Sequence, residues 1–241
     1  MRAEGDTATM PRYGAEPTAV VNPTRTVFIT GGTGYIGSRL IPLLLARGHA
    51  VRALARLGSE AKLPVGCNVI VGDALDAATY RDAVAGCDTF IQLVGVAHPD
   101  PAKAAQFRSV DLASALAAID AAVSNGIAHF VYLSVAQPAQ VMRDYVAARA
   151  EAEAELRRRI SNATILRPWY VVGPGHRWPL LLRPAYWLAE RLPAMRQDAQ
   201  RLGLVTIAQM LEALVQAVEH PANGVRVLDV TGLRAAGHGS G

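Results

Sequence analysis

Residues 27–37 read Val-Phe-Ile-Thr-Gly-Gly-Thr-Gly-Tyr-Ile-Gly, and no other stretch limits the fold of this chain so strongly. Val27, Phe28, Ile29 and Thr30 form a short apolar, β-branched run that ends on a glycine pair, the pattern of a buried strand at its carboxyl end. Two glycine spacings then overlap: Gly31, Gly34 and Gly37 spell GxxGxxG, while Gly32, Gly34 and Gly37 spell GxGxxG. Either spacing brings bare backbone up to a helix N-terminus, whose unpaired N–H groups attract anions. Glycines also gather in tight turns for steric reasons alone. Between a strand and a helix near the start of a fold, however, the pattern has the context a pyrophosphate-binding turn requires. The expected contacts are Gly31, Thr33, Gly34, Tyr35 and Ile36, with Gly37 letting the helix pack closely on the strand.

The rest of the chain repeats the rhythm set here. A helix is predicted over 35–47, with Pro42 as an awkward interior residue and Gly48 as its stop. Strands are predicted at 50–55, 68–71, 89–94, 129–134 and 163–167, and helices at 77–85, 105–125 and 144–159. Short apolar strands alternating with amphipathic helices, without hairpin signals, imply an α/β fold, a doubly wound parallel sheet. After Arg167 the pattern loosens into a segment rich in proline and glycine, interleaved with Trp169, Trp178 and Trp187, before a helix over 206–219 and a strand over 225–230. The expected layout is a polar leader over 1–24, one Rossmann-like domain over 25–234 with a covering segment at about 168–203, and a frayed tail over 235–241.

Composition narrows the function classes. At 241 residues, 51% apolar and 18% charged, the chain suits a compact folded protein. The net charge of +4 is spread along the chain, and its one basic run, Arg157-Arg158-Arg159, shares a helix with Glu151, Glu153 and Glu155, so nucleic acid is not an expected partner. Cys67 and Cys87 form no CxxC and have no paired histidine, so no metal site is expected and both are read as buried thiols in a reducing compartment. No stretch reaches the ~18 uninterrupted apolar residues of a membrane span, and a cytoplasmic protein is expected.

About 20 residues past the glycine turn, where an acidic side chain would bind a ribose 2′-hydroxyl, stands Arg56. A guanidinium there pairs with a 2′-phosphate, with Arg39 or Lys62 as assistants, which favours NADP over NAD. The alternative is a solvated loop arginine. Asp73, past the third strand, either accepts from an adenine amino group or caps the helix that begins near Ala77.

With the glycine turn, Gly72-Asp73, Ser134, Tyr145 and Leu166-Arg167-Pro168 in this order, the sequence resembles the short-chain dehydrogenase/reductase superfamily, most of all its atypical, NmrA-like branch near the epimerase/dehydratase proteins. The resemblance runs from about Arg25 to Gly232. It implies that Gly31, Gly34 and Gly37 hold a pyrophosphate, Arg56 a 2′-phosphate, Asp73 and Ala74 the adenine, and Leu93, Val94 and Gly95 the adenosine side. Ser134 matches the substrate-orienting serine, Tyr145 the general acid/base of YxxxK, and Pro168 with Trp169 the passage beside the nicotinamide. Two positions depart from the pattern. Arg149 stands where the family has the lysine that binds the ribose and lowers the tyrosine pKa from its usual value near ~10. Arginine supplies a fixed charge but releases no proton. Asp111 stands where related sequences often have asparagine, which weakens a proton relay further.

Trp169 and His176 are the expected substrate contacts, and His98 is a second candidate near a strand end. The stretch 178–195 reads as short covering helices, a partner surface or a membrane-surface segment, and its apolar character favours a hydrophobic substrate over a sugar nucleotide. The sequence therefore points to an NADP(H)-preferring oxidoreductase, with NAD possible, acting on a small or medium, fairly apolar carbonyl, hydroxyl or activated alkene. The alternatives are a non-catalytic redox sensor or assembly protein and a nucleotide-sugar epimerase or dehydratase. Residue types and spacing do not fix the substrate or the oligomeric state.

Overall fold

The structure is a computed structural model that describes residues 23–97, 99–139, 142–175 and 202–237. Six strands alternate with helices in the first two thirds of the chain: β1 (Thr26–Thr30), β2 (Ala50–Ala55), β3 (Asn68–Val71), β4 (Thr89–Gln92), β5 (His129–Leu133) and β6 (Ala163–Leu166). Two short strands, β7 (Tyr170–Val172) and β8 (Leu204–Thr206), pair with each other, and β9 (Val225–Leu228) joins the main sheet. That sheet is wholly parallel and seven-stranded, in the order β3-β2-β1-β4-β5-β6-β9. The strand order reverses between β1 and β4, which leaves a crevice at their carboxyl ends.

Both faces of the sheet are covered, and the register shows why its central strands read as continuous apolar runs. Phe28, Phe90 and Phe130 lie side by side across β1, β4 and β5. Their rings sit 5.1 and 5.2 Å apart, with Tyr80 stacked on Phe28 at 5.7 Å. This aromatic row packs against α3 (Ala113–Ser124) and α4 (Arg143–Arg159). Alternate residues Val27, Ile29, Ile91 and Val131 face the opposite layer, built from α1 (Gly37–Ala46) and α5 (Ile207–Glu219). Pro42 lies inside α1 without ending it.

Four expectations need correction. The helix expected over 77–85 is two 3₁₀ turns, Ala77–Thr79 and Arg81–Val84, because Tyr80 leaves helical geometry at φ −142° to place its ring on Phe28. The cap of the first turn is Asp76, which accepts from the Ala78 amide at 3.0 Å, and not Asp73, whose Oδ1 accepts from the Leu75 amide. The last strand ends at Leu228, and residues read as strand end and tail form α6 (Val230–Ala236), capped by Asp229 and burying Val230 and Leu233. Cys67 is half-buried, its thiol donating to the Pro64 carbonyl, while Cys87 is buried; burial pushes both thiols up in pKa.

The helix expected over 105–125 runs from α2 (Ala104–Gln106) through a π-helical segment, Phe107–Leu112, into α3. The wide π turn turns Asp111 inward, where it is fully buried. The basic run of α4 is spent locally: Arg158 pairs with Glu155 at 2.6 Å, Arg159 with Asp120, and Arg157 lies 3.8 Å from Glu153.

Candidate functional site

A cavity of about 520 Å³ opens at the reversal point of the sheet, within the size range of small-molecule sites. Its walls come from the β1–α1 turn (Gly31, Thr33, Gly34), the ends of β2 and β3 (Leu54, Arg56, Gly72, Asp73, Ala74, Leu75), the loop after β4 (Leu93 to Ala97) and the next helix (Gln106, Val110). Gly31 has φ +78°, and a Cβ there would stand 2.9 Å from the Leu93 carbonyl carbon, so only glycine lets the turn pass under the β4 loop. At Gly37 a Cβ would stand 2.7 Å from the Gly32 Cα, so this position lets α1 start against the strand end. Among the described residues no side chain caps α1, and its first turn carries no acidic residue. The turn that leads into it, Thr33 and Gly34, lines the cavity, and a helix N-terminus there favours an anion.

Of the residues expected at a dinucleotide, Gly31, Thr33, Gly34, Arg56, Asp73, Ala74, Leu93, Val94 and Gly95 line this cavity. Tyr35, Ile36, Gly37 and Pro168 stand outside its wall. Tyr35 lies under the Arg39 guanidinium, 4.1 Å from its ring centre, and Arg39 donates to the Tyr35 carbonyl, so Arg39 is turned back from the Arg56 side. Ile36 packs against the α1 layer, and the Pro168 carbonyl accepts from the Ala136 amide. Leu54, Leu75, Val96, Ala97, Gln106 and Val110 complete the wall without a sequence signal of their own. Gln106 and Val110 are one helical turn apart on the helix that follows β4, and that spacing is the available clue.

Next to the cavity lies the cluster expected to carry chemistry. Arg149, 4% exposed, donates through Nη2 to Asp111 Oδ1 at 2.5 Å and through Nη1 to the Leu133 carbonyl at 2.7 Å. The guanidinium carbon is 5.3 Å from the Tyr145 ring centre and 5.8 Å from that of Tyr132. Burial pushes the Tyr132 hydroxyl up to about 12. Tyr145 is half-buried and its ring packs on Phe107 at 5.0 Å. Ser134 is buried and donates to Glu153 Oε1 at 2.6 Å. Glu153, 3% exposed, also accepts from Gln137 at 2.6 Å and is bridged by Arg167 through two nitrogens. Among the described residues no hydrogen bond joins Ser134 to Tyr145. Arg149 thus meets Tyr145, while Ser134 belongs to a separate network around Glu153.

Trp169 stacks edge-on against Tyr170 at 5.8 Å and packs on the α1 and α5 layer. His98, His176 and the stretch 178–195 lie outside the described residues. Among the described residues no helix is long and apolar enough to cross a membrane.

A parallel sheet with a glycine turn and an uncapped helix start at its switch point defines a Rossmann-type dinucleotide-binding protein. Residues 31–175 match the NAD(P)H-binding family, and the chain belongs to that family. It is 31% identical over 228 residues to a 3-diazoavenalumate denitrifying reductase of Streptomyces, a match covering 82% of this chain and 73% of that one. A 3-beta-hydroxysteroid dehydrogenase of Mycolicibacterium neoaurum is 32% identical over 112 residues, which span 44% of this chain and only 31% of the dehydrogenase. The Bordetella bronchiseptica enzyme WbmH, solved with NAD⁺, shares the fold and superposes with a TM-score of 0.65 at 21% identity, covering 86% of this chain and 76% of WbmH.

Proposed function

We propose that the protein is an NADP(H)-preferring oxidoreductase that passes hydride between the nicotinamide and a fairly apolar carbonyl, hydroxyl or activated alkene. The observation that carries this reading is the cavity at the switch point with Arg56 on its wall. Arg56 is exposed, stands at the carboxyl end of β2, and has no ion-pair partner among the described residues. A 2′-phosphate is a dianion that a guanidinium binds in bidentate fashion, whereas a bare 2′-hydroxyl offers it far less. In this reading Asp73 and Ala74 take the adenine and Thr33 and Gly34 the pyrophosphate, and all four line the same cavity.

A bound nicotinamide would supply or accept the hydride. The chain's own task is then to position the substrate, exclude water and move one proton. Tyr145 is the proposed proton donor, half-buried beside the cleft with a cation against its ring. Ser134 donates its hydroxyl hydrogen bond to Glu153, which leaves only lone pairs for a ligand. The role expected of Arg149, a bond to the ribose, competes with its three present acceptors, Asp111, the Leu133 carbonyl and the Tyr132 hydroxyl. That competition favours a second reading, a dinucleotide-binding protein without turnover.

The test is the shift in melting temperature with NADPH, NADP⁺, NADH and NAD⁺, followed by NADPH oxidation across aldehydes, ketones and enones. Stabilisation by the phosphorylated pair together with substrate-dependent oxidation that falls at least about a hundredfold in Tyr145→Phe is the expected result. Stabilisation without turnover selects the binding-only reading. Full turnover in Tyr145→Phe removes Tyr145 from the chemistry.

A further inference from the structure

The two departures from the family pattern meet in space. Asp111 and Arg149 are 38 residues apart in sequence and form one buried ion pair, Oδ1 to Nη2 at 2.5 Å, with exposures of 0% and 4%. The other carboxylate oxygen, Oδ2, accepts from the Val96 amide at 3.1 Å. Val96 belongs to the loop after β4 that walls the cofactor cavity. A Cβ built on Gly95 would run into Arg149 Nη2 and come 3.0 Å from Asp111 Oδ1, so the loop backbone rests directly on the pair. From the other side, Arg149 is tied to the Leu133 carbonyl at the end of β5.

The same anchor continues under β4 and β1. Ser114 donates to the Asp111 carbonyl at 3.2 Å and receives from Gln92 at 3.0 Å, and Gln92 meets Thr30 at the foot of the glycine turn. A chain of buried polar contacts thus runs from the glycine turn, beneath the cavity floor, to β5 and α4.

We infer that Asp111 and Arg149 are a positioning pair that clamps the Gly95-Val96 loop in its cofactor-binding shape from below, and that Arg149 does not itself bind the nucleotide. This rests on the NAD(P)H-binding reading of the cavity. Carboxylate is the chemistry the place demands: its two oxygens serve two donors, Arg149 and the Val96 amide, whereas asparagine would turn an NH₂ toward one of them. Removing either member of the pair leaves the other as an uncompensated buried charge, while removing both does not.

The test is a double-mutant cycle on NADPH affinity, read by calorimetric titration, with far-UV circular dichroism to show that each variant is folded. Asp111→Asn and Arg149→Met each weaken NADPH binding by about tenfold or more, because the competent loop shape is populated less. Asp111→Asn with Arg149→Met together returns to within about threefold of the unmodified protein, since the new amide's carbonyl oxygen still accepts from the Val96 N–H and no charge is stranded. Should the double variant bind as poorly as Arg149→Met alone, or Asp111→Asn bind normally, the clamp is overturned. Gly95→Ala serves if the charge variants fail to fold. Its methyl would run into Arg149 Nη2, so a loss of NADPH affinity is expected, and unaltered affinity sinks the proposal.

If the unmodified protein binds none of the four nucleotides, the cofactor reading fails by itself. The clamp is then decided by hydrogen exchange at the Val96 amide. Protection lost in Arg149→Met upholds it, and protection unchanged in that variant overturns it.

Discussion

On the proposed reading cofactor choice turns on Arg56, because among the described residues it alone puts a positive charge on the β2 and β3 wall of the cavity. Arg56→Ala is expected to weaken NADPH binding by about tenfold while changing NADH binding less than about twofold, the scale of one charge-assisted contact. Equal losses for both nucleotides, measured by titration, would assign Arg56 to the pyrophosphate or to the fold. Glu153 illustrates what spacing cannot show. In the sequence it is one of three glutamates beside a basic run, yet it is 3% exposed and gathers Ser134, Gln137 and Arg167. Ser134→Ala leaves the Arg167 bridge intact and should cost about 1 kcal/mol in urea unfolding. Glu153→Ala strands a half-buried Arg167 and should cost about 3 kcal/mol or more. Asp111 and Arg149 are each legible as departures. Their pairing is not, because it depends on a π turn that rotates Asp111 inward and on two helices meeting over the end of β4.

Elements whose pattern is carried by burial are legible. The strands at the centre of the sheet are buried on both faces, so their apolar runs stand out, and the glycine turn is fixed by contacts that a Cβ would violate at Gly31 and Gly37. Where a tertiary contact overrides a local preference, the sequence misleads. Tyr80 breaks the expected 77–85 helix for the sake of one stacked ring, and β7 and β8 are each three residues long, too short for a period. The start of α5 is legible to within a residue because its signal is chemical. Thr206 accepts from the Gln209 amide at 3.2 Å, and the Gln209 side chain accepts from the Thr206 amide at 2.9 Å, a reciprocal capping box. Thr206→Ala should therefore cost about 1 kcal/mol of stability in urea titration. A loss below about 0.3 kcal/mol would mean that packing of Met210 and Leu214 alone holds this end of α5.

At the scale of the whole molecule, the two ends of the sheet do different work. The carboxyl ends of the strands form the cavity; the amino ends hold a buried polar layer that the cofactor reading does not use. His129, 1% exposed, starts β5 beside the first residue of β4, Thr89, and bonds Thr164 at 3.0 Å. Arg226 reaches the same Thr164 hydroxyl at 3.2 Å. Burial, then the nearby charges of Arg226 and Arg25, lower the His129 pKa to about 4 from 6.5. His49, 3% exposed and facing Glu219, Arg25 and Arg47, is lowered as well, chiefly by burial. Between pH 6.5 and about 4 the unfolded chain therefore binds a proton at His129 that the folded protein refuses, and His49 acts in the same direction. Their contribution is fully present above pH 6.5 and falls as pH drops through the window, by about 3 kcal/mol for His129. Unfolding free energies measured in urea at about pH 7.5, 6.0 and 5.0 should decline accordingly, in a range where carboxylate protonation is still slight. His129→Gln keeps a polar partner for Thr164 but has no proton to gain, so its profile should be much flatter over this interval, even if its stability at neutral pH is lower. A decline as steep as that of the unmodified protein would move the acid sensitivity away from the amino edge of β5 and leave His49, against α5, as its source.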